Sequence, residues 1–423
     1  MPVLQGESEV VMARPEHPTT VTRTADNGAG RPAGRWTFLD LFCGAGGLTW
    51  GWVRAGFVPL ACIDNDSTAL RTHEMNFGHL HPLVLHRDLD RIGVEDLCGF
   101  LGLKPHGVLA IVGGPPCQGW SKVGRGKIRS LGKAGRDLVS DPRNTLYRRF
   151  VEMVSHLKPR VCVMENVPGM LSIENRNIAE VVKVNFEEAG YDCTYSLVNA
   201  RWFGVPQDRQ RLIFIGTRKG SGLTMNAADL EGFAGVFLKT ILRISRQTTV
   251  ADAISDLPPI RNGSEEDPVP YRPQSGRPSR YTQLMREGAN GLITDHICRR
   301  YNGQDVKAFA AMKQGMKYYQ LPSRFKRYRD DIFPDKYKKL MLNRASWTVT
   351  AHLSKDCYTH IHPTQPRTIS IREAARLQGF PDSFRFFGNM GDRFRQIGNA
   401  VPPFMAWGIA EYVRRRLFPG ACP

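Results

Sequence analysis

The sequence predicts a doubly wound α/β fold, and two observations support this prediction. Short apolar runs typical of buried strands recur from Trp36 onward: WTFLDLF, VPLACI, PLVLH, VLAIV, RVCVME, YDCTYSLVN and RLIFIGT. Helical stretches separate several of these runs, and in NTLYRRFVEMVSHLKP the apolar side chains share one face until Pro159 ends the helix. Because strands that alternate with helices pair side by side, we expect a parallel sheet covered on both faces.

The pattern divides the chain into four parts. Residues 1–35 show no apolar period, and we expect a disordered tail there. Residues 36–217 carry the α/β pattern, whereas residues 218–350 are irregular, with a basic, aromatic-rich stretch that suits nucleic acid. We therefore expect 218–350 to form a smaller second domain, with a solvated basic face as the alternative. Helical order returns in residues 351–423, where SIREAARLQGFPD has the spacing of a capping box.

Charge and cysteine content limit the classes of function. The 423 residues carry a net charge of +18, which favours a polyanionic partner such as nucleic acid over a merely soluble basic protein. Nine cysteines without a Cys-x-x-Cys pair argue against a disulfide framework or a zinc ribbon, so we expect a reducing compartment and no metal. We find neither an apolar run long enough for a transmembrane helix nor a secretory signal.

A glycine turn follows the first predicted strand, in DLFCGAGGLTWG. Gly44 and Gly46 allow a sharp turn and close approach to a ligand. Asp64 ends the next strand about 20 residues on, the usual distance for a carboxylate that holds ribose hydroxyls, and Asp88 follows the third strand. Thr49 stands where a dinucleotide motif has its third glycine. The turn therefore suits a nucleoside cofactor without a pyrophosphate, such as S-adenosylmethionine, and an ordinary tight turn is the alternative.

Cys117 lies in GGPPCQGWS, after a strand, where open α/β sheets bind ligands. Nearby cations would favour its thiolate, the nucleophilic form. The basic, glycine-rich segment SKVGRGKIRSLGKAGRD follows and suits a lid that closes over a polyanion, with a surface loop as the alternative. The candidate DNA contacts in this stretch are Ser121, Lys122, Arg125 and Lys127.

Two further motifs supply acid and cationic groups. Glu165, in VCVMENVPG, ends another strand and could protonate or hydrogen-bond a ring nitrogen. Arg209 and Arg211, in VPQDRQRLIFIG, are two residues apart and so are expected to face one site. Methyl transfer to cytosine would use all these groups. A thiolate that adds to C6 makes C5 a nucleophile, and the base must leave the duplex to be reached.

These motifs, in this order, resemble the DNA (cytosine-5) methyltransferases. The resemblance spans about Trp36 to Leu417 and rests on DLFCGAGG, GGPPCQGWS, ENV, QDRQR, RTISIREAARLQGFPD and QIGNAVPP. It implies the Rossmann-like sheet of S-adenosylmethionine-dependent methyltransferases, with 218–350 as the target-recognition domain. It also implies Cys117 as the nucleophile, Glu165 and Arg211 around the base, and Arg209 as support for that pocket. The implied S-adenosylmethionine contacts are Phe42, Gly44, Gly46, Asp64, Asp88, Pro116, Leu146 and Asn399.

The resemblance further implies a cytoplasmic, nucleoid-associated monomer that acts on double-stranded DNA, with a cognate restriction endonuclease as a separate partner. Two departures are visible. Asp64 stands where the family commonly has Glu, and the loop after Cys117 is long and unusually basic. A tRNA cytosine methyltransferase is one rival, but its CFTK-like signature is missing. The other rival is a DNA-binding protein with an inactive fold, but this sequence keeps both the cysteine and the ENV glutamate.

Overall fold

The computed structural model describes residues 36–116, 146–172, 176–271, 276–327 and 336–420. The predicted disordered tail, residues 1–35, lies outside them.

The seven predicted apolar runs all form strands, and these strands make one sheet. Their bounds are Thr37–Leu41 (β1), Val58–Asp64 (β2), Leu83–His86 (β3), Ala110–Gly113 (β4), Val161–Asn166 (β5), Tyr191–Asn199 (β6) and, after the short strand Gln207–Asp208 (β7), Gln210–Arg218 (β8). The order across the sheet is β3-β2-β1-β4-β5-β8-β6. The order reverses beside β1, where β2 and β3 lie on one side and β4 and β5 on the other, as in a doubly wound fold.

The expected parallel pairing is found among the first five strands, but the sheet is mixed because of β8. The strands from β3 to β5 pair in parallel, but β8 runs antiparallel to both β5 and β6. Parallel strands need a crossover of a dozen or more residues, usually a helix. Between β6 and β8 the chain has only the short 3-10 turn Ala200–Phe203 and β7, so it folds back beside β6 in the opposite direction.

Helices cover both faces of the sheet, as predicted, and further helices lie in the segment 218–350. Their bounds are Gly47–Arg54 (α1), Ser67–Phe77 (α2), Val94–Leu101 (α3), Leu146–Leu157 (α4), Ile178–Glu188 (α5), Asp229–Val236 (α6), Val250–Ile254 (α7), Arg280–Arg286 (α8), Gly303–Ala311 (α9), Ile371–Gln378 (α10), Met390–Asn399 (α11) and Pro403–Leu417 (α12). Successive side chains of a strand point to opposite faces. Phe38 of β1 accordingly packs in the core under α1, α10, α11 and α12, and Leu39 in the core under α3, α4 and α5.

The segment 218–350 contributes to two different cores. Its early apolar side chains, Leu230 and Ile254 among them, join the core under α12. Phe309 and Tyr337 belong to a separate small core around α9. Two short strand pairs accompany this segment: Val269–Pro270 (β9) with Leu292–Ile293 (β10), and β7 with Ser346–Trp347 (β11). The expected domain boundaries stay a prediction.

Helix α10 is fully buried, and its charged side chains are paired. Its predicted capping box is present: the Glu373 N–H donates to Ser370 Oγ (3.0 Å), and the Ser370 N–H donates to Glu373 Oε2 (2.7 Å). Both terminal nitrogens of Arg367 donate to the same carboxylate at 2.7 Å. Burial alone would raise the pKa of Glu373, but the Arg367 guanidinium holds it well below its usual range. The Glu373 carboxylate therefore both caps the start of α10 and pairs with the buried Arg367.

We predict that Glu373→Gln lowers the free energy of unfolding by about 3–5 kcal/mol, because it leaves the buried Arg367 charge without its partner. The measurement is denaturant unfolding monitored by circular dichroism. The matched control is Glu152→Gln, which removes the more exposed ion pair with Arg149 and should cost less than about 1 kcal/mol. Equal losses of unfolding free energy in the two variants would contradict a larger contribution from the buried Arg367–Glu373 pair.

Candidate active site

The predicted site motifs meet at the carboxyl edge of the sheet. Leu41, the last residue of β1, pairs with Ile63 near the end of β2 and with Gly113 at the end of β4. Gly113 in turn pairs with Met164 of β5. Because these strands are parallel, the loops that follow them share one edge, where open α/β sheets bind ligands. The glycine turn, Asp64, the GGPP loop and Glu165 all lie there.

The glycine turn is tied to the end of β2. The Gly44 N–H donates to Asp64 Oδ2, and the Asp66 N–H donates to Asp64 Oδ1, both at 2.8 Å. Burial raises the pKa of Asp64, and these two N–H groups oppose that shift. Gly46 has φ +97°, and a Cβ there would lie 2.4 Å from Phe77 Cε2, so only glycine fits this position. The acid and the turn predicted to share a ligand are therefore in direct contact.

The other predicted cofactor residues differ in their burial. Phe42 is half-buried with φ +61°, and Leu146 is the half-buried first residue of α4. Pro116 is exposed, and so is Asn399, the last residue of α11. Asp88 lies two residues beyond β3, where its Oδ1 accepts the Asp90 N–H at 3.1 Å. Their contacts with a methyl donor stay a prediction.

Glu165 and Arg211 form an ion pair at this edge. Arg211 Nε lies 2.6 Å from Glu165 Oε1, and their side chains are only 14% and 13% exposed. A Cβ on Gly114 would lie 3.2 Å from Glu165 Oε2, so the GGPP loop runs close beside this carboxylate. The loop leads directly to Cys117. Cys117 itself, together with Ser121, Lys122, Arg125 and Lys127, lies outside the described residues.

Asn166 is a site residue whose role the sequence did not reveal. Its Nδ2 donates to the Pro115 carbonyl at 3.3 Å, and its Oδ1 accepts the Val167 N–H at 2.8 Å. The side chain thus joins the end of β5 to the loop that precedes Cys117. The available signal was its place directly after Glu165, because neighbouring strand residues point to opposite faces and so can serve two different neighbours.

The Arg209 side chain donates hydrogen bonds to backbone carbonyls. Its guanidinium is 1% exposed and donates to the carbonyls of Val349 (2.6 Å), Gly398 (3.0 Å) and Ala400 (3.0 Å). We expected Arg209 and Arg211 to face one site because strand residues two apart point the same way. Arg209 precedes β8, and its guanidinium bridges the two residues that flank Asn399. Burial lowers the pKa of Arg209, the Arg211 charge adds to this and the Glu165 charge opposes it, so the three groups lie near one another. Support of the Glu165–Arg211 pocket by Arg209 stays a prediction.

This chain is similar to known proteins over most of its length. Residues 36–415 match the C-5 cytosine-specific DNA methylase family. Type II methyltransferase M.XorII of Xanthomonas oryzae pv. oryzae is 34% identical, with 92% of this chain and 85% of that protein covered. Type II methyltransferase M.AgeI of Thalassovita gelatinovora is 30% identical, with 89% and 98% covered.

Solved structures show the same fold. A crystal structure assigned as a DNA modification methyltransferase encoded within an E. coli prophage has a TM-score of 0.67 and 27% identity, and it covers 90% of this chain and 99% of that one. The Dnmt2 methyltransferase of S. pombe has a TM-score of 0.54 at 15% identity over 90% and 98% of the two chains, which shows the fold alone.

The fold and these comparisons define an S-adenosylmethionine-dependent methyltransferase. The chain belongs to the C-5 cytosine-specific DNA methylases, enzymes that methylate C5 of cytosine in DNA with S-adenosylmethionine as the methyl donor. No helix in the described parts of the chain is both long and apolar enough to cross a membrane. Within the same parts, no group of His, Cys, Asp or Glu side chains could hold a metal ion.

A buried carboxyl beneath the glycine turn makes stability depend on pH. Asp40 of β1 is fully buried, which raises its pKa to about 7; a hydrogen bond from Thr49 opposes the rise and the charge of Asp64 adds to it. An Asp has a pKa near 3.8 when exposed in the unfolded chain. Between about pH 4 and pH 7 the folded state therefore retains a proton that the unfolded state has lost. Raising the pH through this window destabilises the fold.

We predict that Asp40→Asn removes this pH dependence because its amide does not ionise. The free energy of unfolding of the variant minus that of the parent should rise by about 1–4 kcal/mol from pH 4 to pH 7 and stay level above pH 7. Denaturant unfolding at pH 4.5, 6 and 8 measures this difference. A difference that is the same at all three pH values would show that Asp40 ionises normally.

Proposed function

We propose that this enzyme methylates a cytosine that is flipped out of a specific double-stranded DNA site, through a transient bond between Cys117 Sγ and C6 of the base. The observation that carries the proposal is the Glu165–Arg211 ion pair, which lies beside the loop that leads to Cys117. This pair supports the proposal because it offers a carboxyl group and a guanidinium, the kinds of partner that N3 and O2 of an attacked base would need.

The proposed reaction has three steps: addition of the thiolate, transfer of the methyl group and elimination of the thiolate. The Cys117 thiolate adds to C6 while Glu165 protonates or hydrogen-bonds N3, which places electron density on C5. C5 takes the methyl group that the S-adenosylmethionine sulfonium supplies, and S-adenosylhomocysteine is left. Loss of the C5 proton to a base then expels the thiolate and restores the ring. Arg211 would hold O2 and keep Glu165 oriented through its Nε contact.

The left-handed glycine turn and the strand-end Asp64 fit the methyl donor. A Cβ on Gly46 would lie 2.4 Å from Phe77 Cε2, so the turn can take this conformation only with glycine at that position. We propose that Gly44, Gly46 and Asp64 hold the donor's nucleoside, with Phe42, Asp88, Pro116, Leu146 and Asn399 around it. Arg209 supports this site indirectly, because its guanidinium binds the carbonyls on both sides of Asn399.

Duplex DNA is proposed to lie across the basic loop and the segment 218–350. That segment exposes cations along its described surface, namely Lys307, Lys313, Lys317, Arg324 and Arg344. Phosphate contacts of this kind supply sequence-independent affinity and could offset the cost of flipping a base. Together with Ser121, Lys122, Arg125 and Lys127 they define the proposed DNA-binding surface. Because its relatives are type II methyltransferases, we further propose a cognate restriction endonuclease that acts separately.

The test uses DNA carrying 5-fluorocytosine at the target site, which bisulfite sequencing of DNA from expressing cells would first identify. The fluorine cannot leave as a cation, so the proposed adduct cannot resolve. We expect a covalent protein–DNA complex that withstands denaturing electrophoresis and forms only with the methyl donor. Cys117→Ala should abolish both the complex and methyl incorporation, and Glu165→Gln should lower kcat by about 10²–10⁴-fold.

The matched control is Cys98→Ala, which removes a buried thiol in α3, on the helix layer that covers one face of the sheet. It should trap DNA and transfer methyl groups like the parent. Trapping by Cys117→Ala, or loss of trapping in Cys98→Ala alone, would refute the assignment of the nucleophile. Methylation of tRNA but not of duplex DNA by the parent would refute the proposed substrate.

A separate prediction concerns Arg209. Arg209→Lys keeps the charge but cannot reach three carbonyls with one ammonium, so the segment around Asn399 should lose its fixed position. We expect the KM for S-adenosylmethionine to rise about tenfold, with a smaller change in the KM for DNA. Arg201→Lys, at the exposed ion pair with Asp208, is the control. Steady-state kinetics measure both KM values. An unchanged KM for S-adenosylmethionine in Arg209→Lys would contradict the proposed support of the donor site by Arg209.

A further inference from the structure

Thr49, in the first turn of α1, has its hydroxyl between two buried side chains. Its Oγ1 donates to Asp40 Oδ2 at 2.6 Å and lies 3.0 Å from His73 Nε2. All three side chains are 0% exposed. When Asp40 is ionised, the single proton of the Thr49 hydroxyl goes to Asp40, and His73 donates to the hydroxyl oxygen through Nε2. Burial also lowers the pKa of His73 to about 3, which keeps the ring neutral.

This network joins three elements around the glycine turn. Asp40 is on β1, Thr49 on α1 and His73 on α2. The His73 ring also packs directly beneath the turn, because a Cβ on Gly46 would lie 2.9 Å from its Cδ2. Gly44, at the other end of the turn, is held by Asp64. The turn is therefore fixed at one end by a strand-end carboxylate and at the other by the ring that Thr49 holds.

Position 49 is free to carry a hydroxyl because other glycines provide the close packing of α1. The third glycine of a dinucleotide motif allows helix and strand to approach. Here α1 approaches the α12 region instead: a Cβ on Gly47 would lie 2.3 Å from the Val401 carbonyl oxygen, and one on Gly51 would lie 2.3 Å from Trp407 N. Thr49 faces the sheet, and its hydroxyl donates a hydrogen bond to Asp40 of β1. This bond joins α1 to β1 in place of the close backbone approach that a glycine would allow.

We infer that Thr49 is a positioning residue for the methyl donor, and that its hydroxyl, through Asp40 and His73, sets the conformation of the Gly44–Gly46 turn against which the donor binds. The inference rests on the proposed location of the donor. Burying three polar side chains is costly, and an apolar cluster of the same volume would stabilise the fold equally well. The hydrogen bonds of the network are directional, so they hold β1, α1 and α2 in one arrangement.

Thr49→Val tests this inference, because valine has nearly the same shape and lacks the hydroxyl, and Thr49→Ser is the matched control that keeps it. We expect Thr49→Val to raise the KM for S-adenosylmethionine and the Kd for S-adenosylhomocysteine about tenfold. The kcat and the KM for DNA should stay within about twofold of the parent, and Thr49→Ser should resemble the parent throughout. Steady-state kinetics and calorimetry supply these values, with thermal melting to confirm folding.

A second variant covers the case in which Thr49→Val does not fold. His73→Phe keeps a ring beneath Gly46 but removes the Nε2 donor, and it should weaken donor binding in the same way. Folded variants with lower melting temperatures but an unchanged Kd for S-adenosylhomocysteine would overturn the inference and reduce the network to a stabilising role. A parent enzyme that binds S-adenosylhomocysteine but methylates no DNA would instead contradict the proposed function, and the Kd comparison would still decide the inference.

Discussion

The antiparallel pairing of β5 with β8 is the constraint on which the candidate site depends. Glu165 is opposite Ile213 in this pair, which places Arg211 two residues further on the same face, within reach of the Glu165 carboxylate. A parallel β8 would carry its amino end, and Arg211 with it, to the other edge of the sheet. The one strand that departs from the doubly wound pattern is thus the strand that completes the ion pair.

Arg209 extends this constraint to the rest of the site. Because its guanidinium binds Val349, Gly398 and Ala400, it ties the start of β8 to the end of the segment 218–350 and to the end of α11. Gln207 acts alongside it, since its Oε1 accepts the Val349 N–H at 2.8 Å. The parts proposed to read DNA, hold the base and hold the donor therefore meet through QDRQR.

The sequence predicts what local patterns encode. Seven strands follow from apolar runs, the start of α10 follows from the Ser370–Glu373 spacing, and the closeness of Asp64 to the glycine turn follows from a turn and a strand end about 20 residues apart. The direction of β8, the carbonyl partners of Arg209 and the network of Thr49 do not follow. Each depends on groups far apart in sequence, such as Arg209 and Ala400, or on a side chain whose partners no periodicity specifies.

Several buried polar groups lie where the strands, turns and helices of this fold meet, and all depend on a correctly placed partner. Arg367 with Glu373, Arg376 with Asp382 and Asp40 with Thr49 are all withdrawn from water, so each is stable only when its partner is correctly placed. Apolar packing tolerates small shifts, whereas a buried hydrogen bond lost by a shift of 1 Å costs about 1–3 kcal/mol. A cytosine-C5 methyltransferase must align its methyl donor with the cytosine. Placing directional contacts where strands, turns and helices meet is a physical means of holding that alignment.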